Sequence, residues 1–237
     1  MKIPKLKKVG RPDVIQESAK DLPLGYIPQN ERKTILLLLD DIRTHSGIGN
    51  MSKEIVINTA HRYNWFNIGA AVKHPDAGKS FDVSQEINKL TGLNDSNVRV
   101  FCNDGYGDAR LLRNVMDQIK PDAILHFTDP RYWIWLYRLE NEIRQKIPMI
   151  FYTIWDDIPY PMYNKNYYRS DDMLLCISKQ TKNIVKNVLR DHPKPDWAVK
   201  YVPHGINDKN FYPIVNDLEF ETWKEQFLEK KEYDFVV

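Results

Sequence analysis

The chain is poor in cysteine: its 237 residues include two, Cys102 and Cys176, each inside an apolar run. That argues against a disulfide framework, and no Cys-x-x-Cys or Cys/His spacing suggests a metal site. Long apolar runs are missing too, none approaching the roughly 18 residues of a membrane span. The lysine-bearing N-terminus lacks the apolar stretch of a secretory signal. A charge excess is also absent. Lys and Arg number 34 against 32 Asp and Glu, a balance too even to imply nucleic acid or an acidic substrate. These absences predict a cytoplasmic protein whose cysteines are small core residues in a reducing compartment.

What is present is material for a core, with 42% apolar and 12% aromatic residues. Residues 1–33 read as a basic arm packed loosely on the domain. Lys2, Lys5, Lys7, Lys8 and Arg11 open it, and the segment 22–28 holds too many breakers for a helix. A nucleic-acid or membrane role for these cations is the lesser reading, and a solvated tail the greater one.

From Thr34 the pattern alternates. The run 35–39 is continuously apolar, as in strands covered on both faces. Further strands are predicted at 67–72, 98–102, 123–127, 149–154, 173–177 and 199–202. A helix follows from Leu112, Val115, Met116 and Ile119, capped by Asp108 and stopped by Pro121. Another follows from Ile184, Val185, Val188 and Leu189, started by Ser178. Arg131–Lys146 reads as a third, with Tyr132, Leu136, Leu139 and Ile143 as its core stripe. Strands alternating with helices predict an α/β fold, a Rossmann-like open parallel sheet with helices on both faces, over residues 34–215. Residues 216–237 read as a linker helix and the first strand of a further domain.

The segment 40–50, Asp-Asp-Ile-Arg-Thr-His-Ser-Gly-Ile-Gly-Asn, closes the first strand and opens a helix. Gly47 and Gly49 let a backbone approach a ligand, and free amides at a helix start favour phosphate. The spacing lacks the third glycine of a dinucleotide fingerprint. A tight turn with no ligand is as good a reading. Ala77-Gly-Lys-Ser80 ends like a P-loop but has no leading glycine and no strand–loop–helix frame, so it reads as a polar loop.

His126, near the end of the fourth strand, points toward the crevice in this reading, where it can bind a hydroxyl or shuttle a proton. A histidine satisfied by backbone is an equal alternative. Trp133 and Tyr137 lie one step around from the helix stripe, as core or as a surface for a sugar or a partner. Trp155, Asp156 and Asp157 end the fifth strand. The two carboxylates can orient hydroxyls, bind a metal or cap the loop, a metal being the weakest option for want of further ligands. His204 and Gly205 follow the last strand, Gly205 permitting a turn.

Taken in order, Gly47-Ile48-Gly49, Leu125-His126 with Asp129-Pro130, Tyr152-Thr153 leading to Asp156, Cys176-Ile177-Ser178, and the stretch 203–207 with 211–213 resemble the N-terminal half of GT-B glycosyltransferases. The resemblance is to the retaining enzymes of glycosyltransferase family 4 and covers residues 34–237. It implies transfer of a sugar from a nucleotide-sugar donor to an unidentified acceptor, with neither metal nor cofactor. This chain would be the acceptor-side domain, with little turnover alone. Gly47, Ile48 and Gly49 would face the donor diphosphate. His126 and Asp156 would serve catalysis, and Asp129, Trp155, Asp157, His204 and Gly205 would contact substrate. Replacing Gly49 with Val would then abolish turnover while leaving the fold intact. The chain departs from the family in having Trp155 where His is common, and His204 and Asn207 where Asn and Asp are. The paired glutamates that grip the donor belong to a C-terminal domain absent from this sequence. A rival reading is a non-catalytic Rossmann-like module docking a partner through Trp133, Tyr137 and the basic arm. A third is a GT-B sugar-nucleotide epimerase.

Overall fold

A computed structural model describes residues 22–73, 75–208, 211–213 and 217–227. It divides into a large unit ending at Pro203 and a small one beginning at His204. The basic start of the arm and the strand expected at 233–237 lie outside the described residues.

The large unit is α/β. Among the described residues the strands of its main sheet are β1 Lys33–Asp40, β2 Tyr63–Ala70, β3 Ser80–Asp82, β4 Val98–Cys102, β5 Ala123–Phe127, β6 Met149–Thr153, β7 Met173–Cys176 and β8 Val199–Tyr201, and a separate antiparallel pair joins Val72–Lys73 to Asp104–Gly105. Its helices are α1 Gly47–Thr59, α2 Ser84–Thr91, α3 Ala109–Ile119, α4 Ile134–Tyr137, α5 Glu140–Arg144, α6 Lys165–Ser170 and α7 Lys179–Val188. In the sheet the strands lie side by side as β8-β7-β6-β5-β1-β2-β4-β3. All neighbours pair parallel except β3, which runs antiparallel along β4. The order reverses between β1 and β5. Open α/β sheets bind their ligands at that switch point, outside the carboxyl ends of the strands.

Leu36, Leu37, Leu38 and Leu39 of β1 are each 1% exposed or less. Successive side chains alternate faces. Leu37 and Leu39 pack with Val56 of α1, Trp65 and Phe127, whereas Leu36 and Leu38 pack with Leu112 of α3, Ile124, Trp133 and Leu136. A strand between two such layers has no polar face, which is why the run reads as uniformly apolar.

The expected helix ends are present. Asp108 accepts from the Leu111 amide and Ser178 from the Thr181 amide, and Lys120 closes α3 with φ 46° just before Pro121. Strand β2 starts four residues before the expected 67, and the edge strand β3 was not anticipated. Asn64 and Asn67 interrupt the apolar pattern of β2. Each gives a side-chain atom to backbone: Asn64 Nδ2 donates to the Gln29 carbonyl, and Asn67 Oδ1 accepts from the Ile42 amide.

The segment after β5 corrects one periodicity. It begins as a 3₁₀ turn, Pro130–Trp133, before α4. The tighter turn shifts the helical phase. Trp133 (0% exposed), Leu136 and Tyr137 therefore face the sheet, and Tyr132 is exposed. The surface on which a partner was to dock through Trp133 and Tyr137 is core.

The described part of the arm, 22–32, is stitched down rather than loosely packed. The buried Arg32 guanidinium donates to the Ile27 carbonyl (2.6 Å), the Asp95 carbonyl (2.8 Å) and Asp95 Oδ2 (2.7 Å). Tyr26 donates its hydroxyl to the same carboxylate oxygen (2.7 Å).

In the small unit, helix α8 spans Leu218–Phe227 and stacks Trp223 between Phe220 and Phe227.

Candidate functional site

Three strand ends build the crevice. After β1, Asp41 turns the chain. Its carboxylate takes two hydrogen bonds from the Arg43 guanidinium (2.9 and 2.6 Å), and its carbonyl accepts from the Thr44 amide and hydroxyl. Ser46 then caps α1, its hydroxyl accepting from the Gly49 amide (2.9 Å) and donating to Asp40 Oδ2 (2.7 Å). The Gly47 and Ile48 amides meet no acceptor among the described residues, so they are the groups left open at this helix start. Asp40 already brings a carboxylate to the same end, which favours the helix dipole and opposes a second anion.

After β5, Asp129 caps the 3₁₀ turn by accepting from the Arg131 amide (2.9 Å) and pairs with the Arg131 guanidinium (2.5 Å). Burial pushes the Asp129 carboxyl up, but hydrogen bonds and charge from Arg131 outweigh it and hold it below the usual carboxylate range. Arg131 also lies over the rings of Trp155 (5.8 Å) and Tyr163 (6.0 Å). After β6, Trp155 Nε1 donates to the Asp157 carbonyl (3.0 Å). Asp157 Oδ1 accepts from the Ile158 amide (2.7 Å), and Gln180 Nε2 donates to the Asp156 carbonyl (2.6 Å). Asp157 thus caps its own loop, while the Asp156 carboxylate has no hydrogen-bond or ion-pair partner among the described residues.

Between these ends lies a cleft of about 280 Å³ lined by Ile48, Thr128, Asp129, Pro130, Phe151, Thr153, Ile154, Trp155, Asp156 and Asn164. No family model matches the chain, and no curated protein does. The site is therefore read from its own geometry. Four of the sequence-predicted residues, Ile48, Asp129, Trp155 and Asp156, meet in the cleft, and Gly47 stands exposed at the helix start above them in sequence. Among the described residues no helix is long and apolar enough to cross a membrane, and no group of His, Cys, Asp or Glu is placed to hold a metal ion. A second cleft, about 290 Å³ between α3 and α5, lies by Pro121 at the amino end of β5, away from the switch point. Its Arg113 and Glu142 neutralise each other in a two-point ion pair.

Three expectations are corrected. His126 does not point into the crevice. It is 0% exposed, stacked on Phe151 (5.0 Å between ring centres) and set edge-on to Trp133 (5.3 Å), with Nδ1 2.8 Å from the Tyr137 hydroxyl. Both faces of β5 are covered, so no side chain within that strand reaches solvent. Burial lowers its imidazole to about 3, the nearby Asp129 charge offsetting only part of this. This histidine is sealed in an aromatic cluster beneath Phe151, which lines the cleft.

Gly49 is demanded by packing. A Cβ there would lie 2.5 Å from Thr44 Oγ1 and 2.8 Å from the Thr44 carbonyl, whereas one at Gly47 meets nothing within 4 Å. Its amide is also taken by Ser46, so Gly47 and Ile48 are left to face a ligand. Gly49→Ala is expected to destabilise the large unit by about 1–3 kcal/mol through overpacking. Gly47→Ala should change stability by under about 1 kcal/mol, toward stabilisation. Urea unfolding of both variants checks the contrast, and equal losses would refute the assignment.

Gly205 is exposed and opens the small unit together with His204, in a stretch without helix or strand. A Cβ at 205 meets nothing within 4 Å, and its φ is not in the left-handed region. The turn does not require glycine.

Asn164 is the lining residue that the sequence did not suggest. It ends the 3₁₀ turn Met162–Asn164, is 1% exposed, and its side chain is hydrogen-bonded to the buried Tyr168 hydroxyl. The prolines at 159 and 161 erase any periodicity around it.

Proposed function

We propose that the chain is the acceptor-side domain of a retaining GT-B glycosyltransferase and that the β1/β5/β6 cleft receives the acceptor. The carrying observation is the position of that cleft. It lies at the switch point of the sheet, where the first turn of α1, Asp129, Trp155 and Asp156 converge. In this reading catalysis rests on positioning and on stabilising the departing diphosphate. The open Gly47 and Ile48 amides meet the diphosphate, and Asp156 accepts a hydrogen bond from the attacking acceptor hydroxyl. Trp155 and Ile154 exclude water along one wall. The grip on nucleotide and donor sugar belongs to a second domain, which the described residues do not include.

The test is incubation of the longest form of the protein that its gene encodes with UDP-, GDP- and ADP-sugars, followed by product chromatography. One donor class is expected to be consumed, with the anomeric configuration retained in the product. Asp156→Asn should lower kcat by on the order of 100-fold. Failure to consume any donor, or an inverted product, overturns the proposal. An isomerised nucleotide-sugar would instead identify an epimerase.

A further inference from the structure

The loops around the cleft carry aromatic rings in two pairs. In the first, Tyr106 and Tyr132 stack face to face, 4.7 Å between centres and 11° between planes. In the second, Trp155 meets Tyr163 edge-on at 5.6 Å. Tyr132 and Tyr163 are each 58% exposed. Scattered exposed rings need no explanation, but a cluster beside a cleft marks a binding surface.

Both pairs are held in place. Tyr106 follows the short ribbon that joins Val72–Lys73 to Asp104–Gly105, and left-handed glycines at 105 (φ 74°) and 107 (φ 73°) turn the chain on either side of it. The loop after β4 thereby reaches past the ends of β2 and β1 to meet the loop after β5. Tyr132 stands on the 3₁₀ turn that Asp129 caps. Its neighbour Arg131 lies over both rings of the second pair, 5.8 Å from Trp155 and 6.0 Å from Tyr163. Asp129, Pro130 and Trp155 line the cleft, so each pair adjoins its mouth. Tyrosine and tryptophan offer wide contact area on few rotatable bonds, so little freedom is lost when a ligand covers them.

The charges beside the rings select the ligand. Arg131, set between the pairs, is already matched by Asp129 at 2.5 Å. Burial raises the Tyr106 hydroxyl above its ordinary pKa, and the Asp40 and Asp129 charges add to it, which places both carboxylates near the first pair. Asp156 follows Trp155 and lines the cleft beside it. Single-stranded nucleic acid also stacks on aromatic rings, but it needs cations along its backbone. Here it meets carboxylates. A chain of neutral pyranose rings presents C–H faces to the aromatic surfaces and hydroxyl donors to the carboxylates.

We propose that the rim of the cleft binds a neutral oligosaccharide, the exposed faces of Tyr132 and Tyr163 each receiving one sugar ring. The acceptor of the transfer is then such a chain and not a lone sugar. That clause rests on the glycosyl-transfer reading, whereas the binding itself does not.

The experiment titrates the chain, without any donor, with maltotetraose, cellotetraose, mannotetraose and N-acetylchitotetraose. The matching methyl monosaccharides serve as single rings and an oligothymidylate as a polyanion, all read by calorimetry and saturation-transfer NMR. At least one tetrasaccharide is expected to bind saturably, roughly tenfold or more tighter than its single ring, because the second contact becomes intramolecular. Tyr132→Ala and Tyr163→Ala should each weaken that binding about fivefold, as loss of one ring contact does. Tyr132→Phe, which keeps the ring, should bind as the wild type does. All three variants should melt within about 2 °C of the wild type, as surface changes do. If no tetrasaccharide binds, if single rings bind as tightly, or if both alanine variants bind as the wild type does, the proposal falls. Oligothymidylate binding in place of the sugars overturns it too, and so do alanine variants whose lost binding comes with lost melting temperature. The outcomes are separable from those of the donor assay. Tetrasaccharide binding without donor consumption keeps the rim site and removes the transferase. Donor consumption without tetrasaccharide binding does the reverse.

Discussion

Trp133→Ala is expected to lower the stability of the large unit by about 3–5 kcal/mol, the range for deleting a fully buried large aromatic. The side chain is 0% exposed and sits among Leu36, Leu38, Ile124 and Leu136. It also meets three rings: His126 at 5.3 Å, Trp135 at 5.6 Å and Tyr106 at 6.1 Å between centres. Removing it leaves a cavity against the strand that carries His126, and a sheet fixed by pairing on both sides of β5 cannot collapse to fill it. Urea unfolding followed by circular dichroism measures the loss. The experiment bears on function as well as packing. Were Trp133 a docking surface, its truncation would leave stability within about 1 kcal/mol, as surface changes do, and that outcome would refute the buried assignment.

The second large effect is in pH. His126 titrates at about 3 in the folded chain, lowered by burial, against about 6.5 in an unfolded one. As pH falls below 6.5 the unfolded chain takes up a proton that the folded chain refuses until about 3. Stability therefore falls with falling pH across that window, by at most about 1.4 kcal/mol per unit from this residue. Above 6.5 both states are neutral there and the contribution is flat. Asp171 works in the opposite sense. Burial raises its carboxyl well above the usual value, so its share of stability falls as pH rises through the carboxylate range. Comparing wild type with His126→Phe isolates the histidine, because Asp171 is common to both. The wild type should lose stability relative to the variant between pH 6 and 4 at about that slope. Parallel curves would place a charged or solvated imidazole at 126.

The fold was legible where local chemistry and tertiary structure agree. The leucines of β1, the Asp108 and Ser178 caps and the Pro121 stop each act within a few residues, so sequence displays them directly. Residues such as Asn64 and Asn67 hid the first half of β2, because their compensation comes from Gln29 and Ile42. The site was legible in part for the same reason. Strand-terminal Asp129, Trp155 and Asp156 follow from the rule that ligands gather at carboxyl ends of strands. His126 misled because its neighbours on the sheet, Leu38 and Phe151, are distant in sequence, and the covering Trp133 is turned inward by the 3₁₀ start of its segment. A polar residue one position inside a strand end looks the same as one at the rim until the layer above it is known. Gly49 misled similarly: glycine for a ligand and glycine for a carbonyl at 2.8 Å leave the same letter. Asn164 had no local signal, since its meaning comes only from the cavity it borders.

The Arg32 clasp decides where the folding unit begins. A chain trimmed to start at Thr34 would keep every strand yet lose Tyr26, Ile27 and Arg32, and Asp95 would be left with a carboxylate shaped for two absent donors. The loop that carries Asp95 leads directly into β4, next to the antiparallel edge of the sheet. Such a trimmed chain would fray first at that edge, opening β4 to pairing with a neighbouring molecule. Trimming before Leu22 spares the clasp, and trimming between Pro28 and Lys33 removes it. A span of some ten residues that belongs to no strand or α-helix thus guards one edge of the sheet.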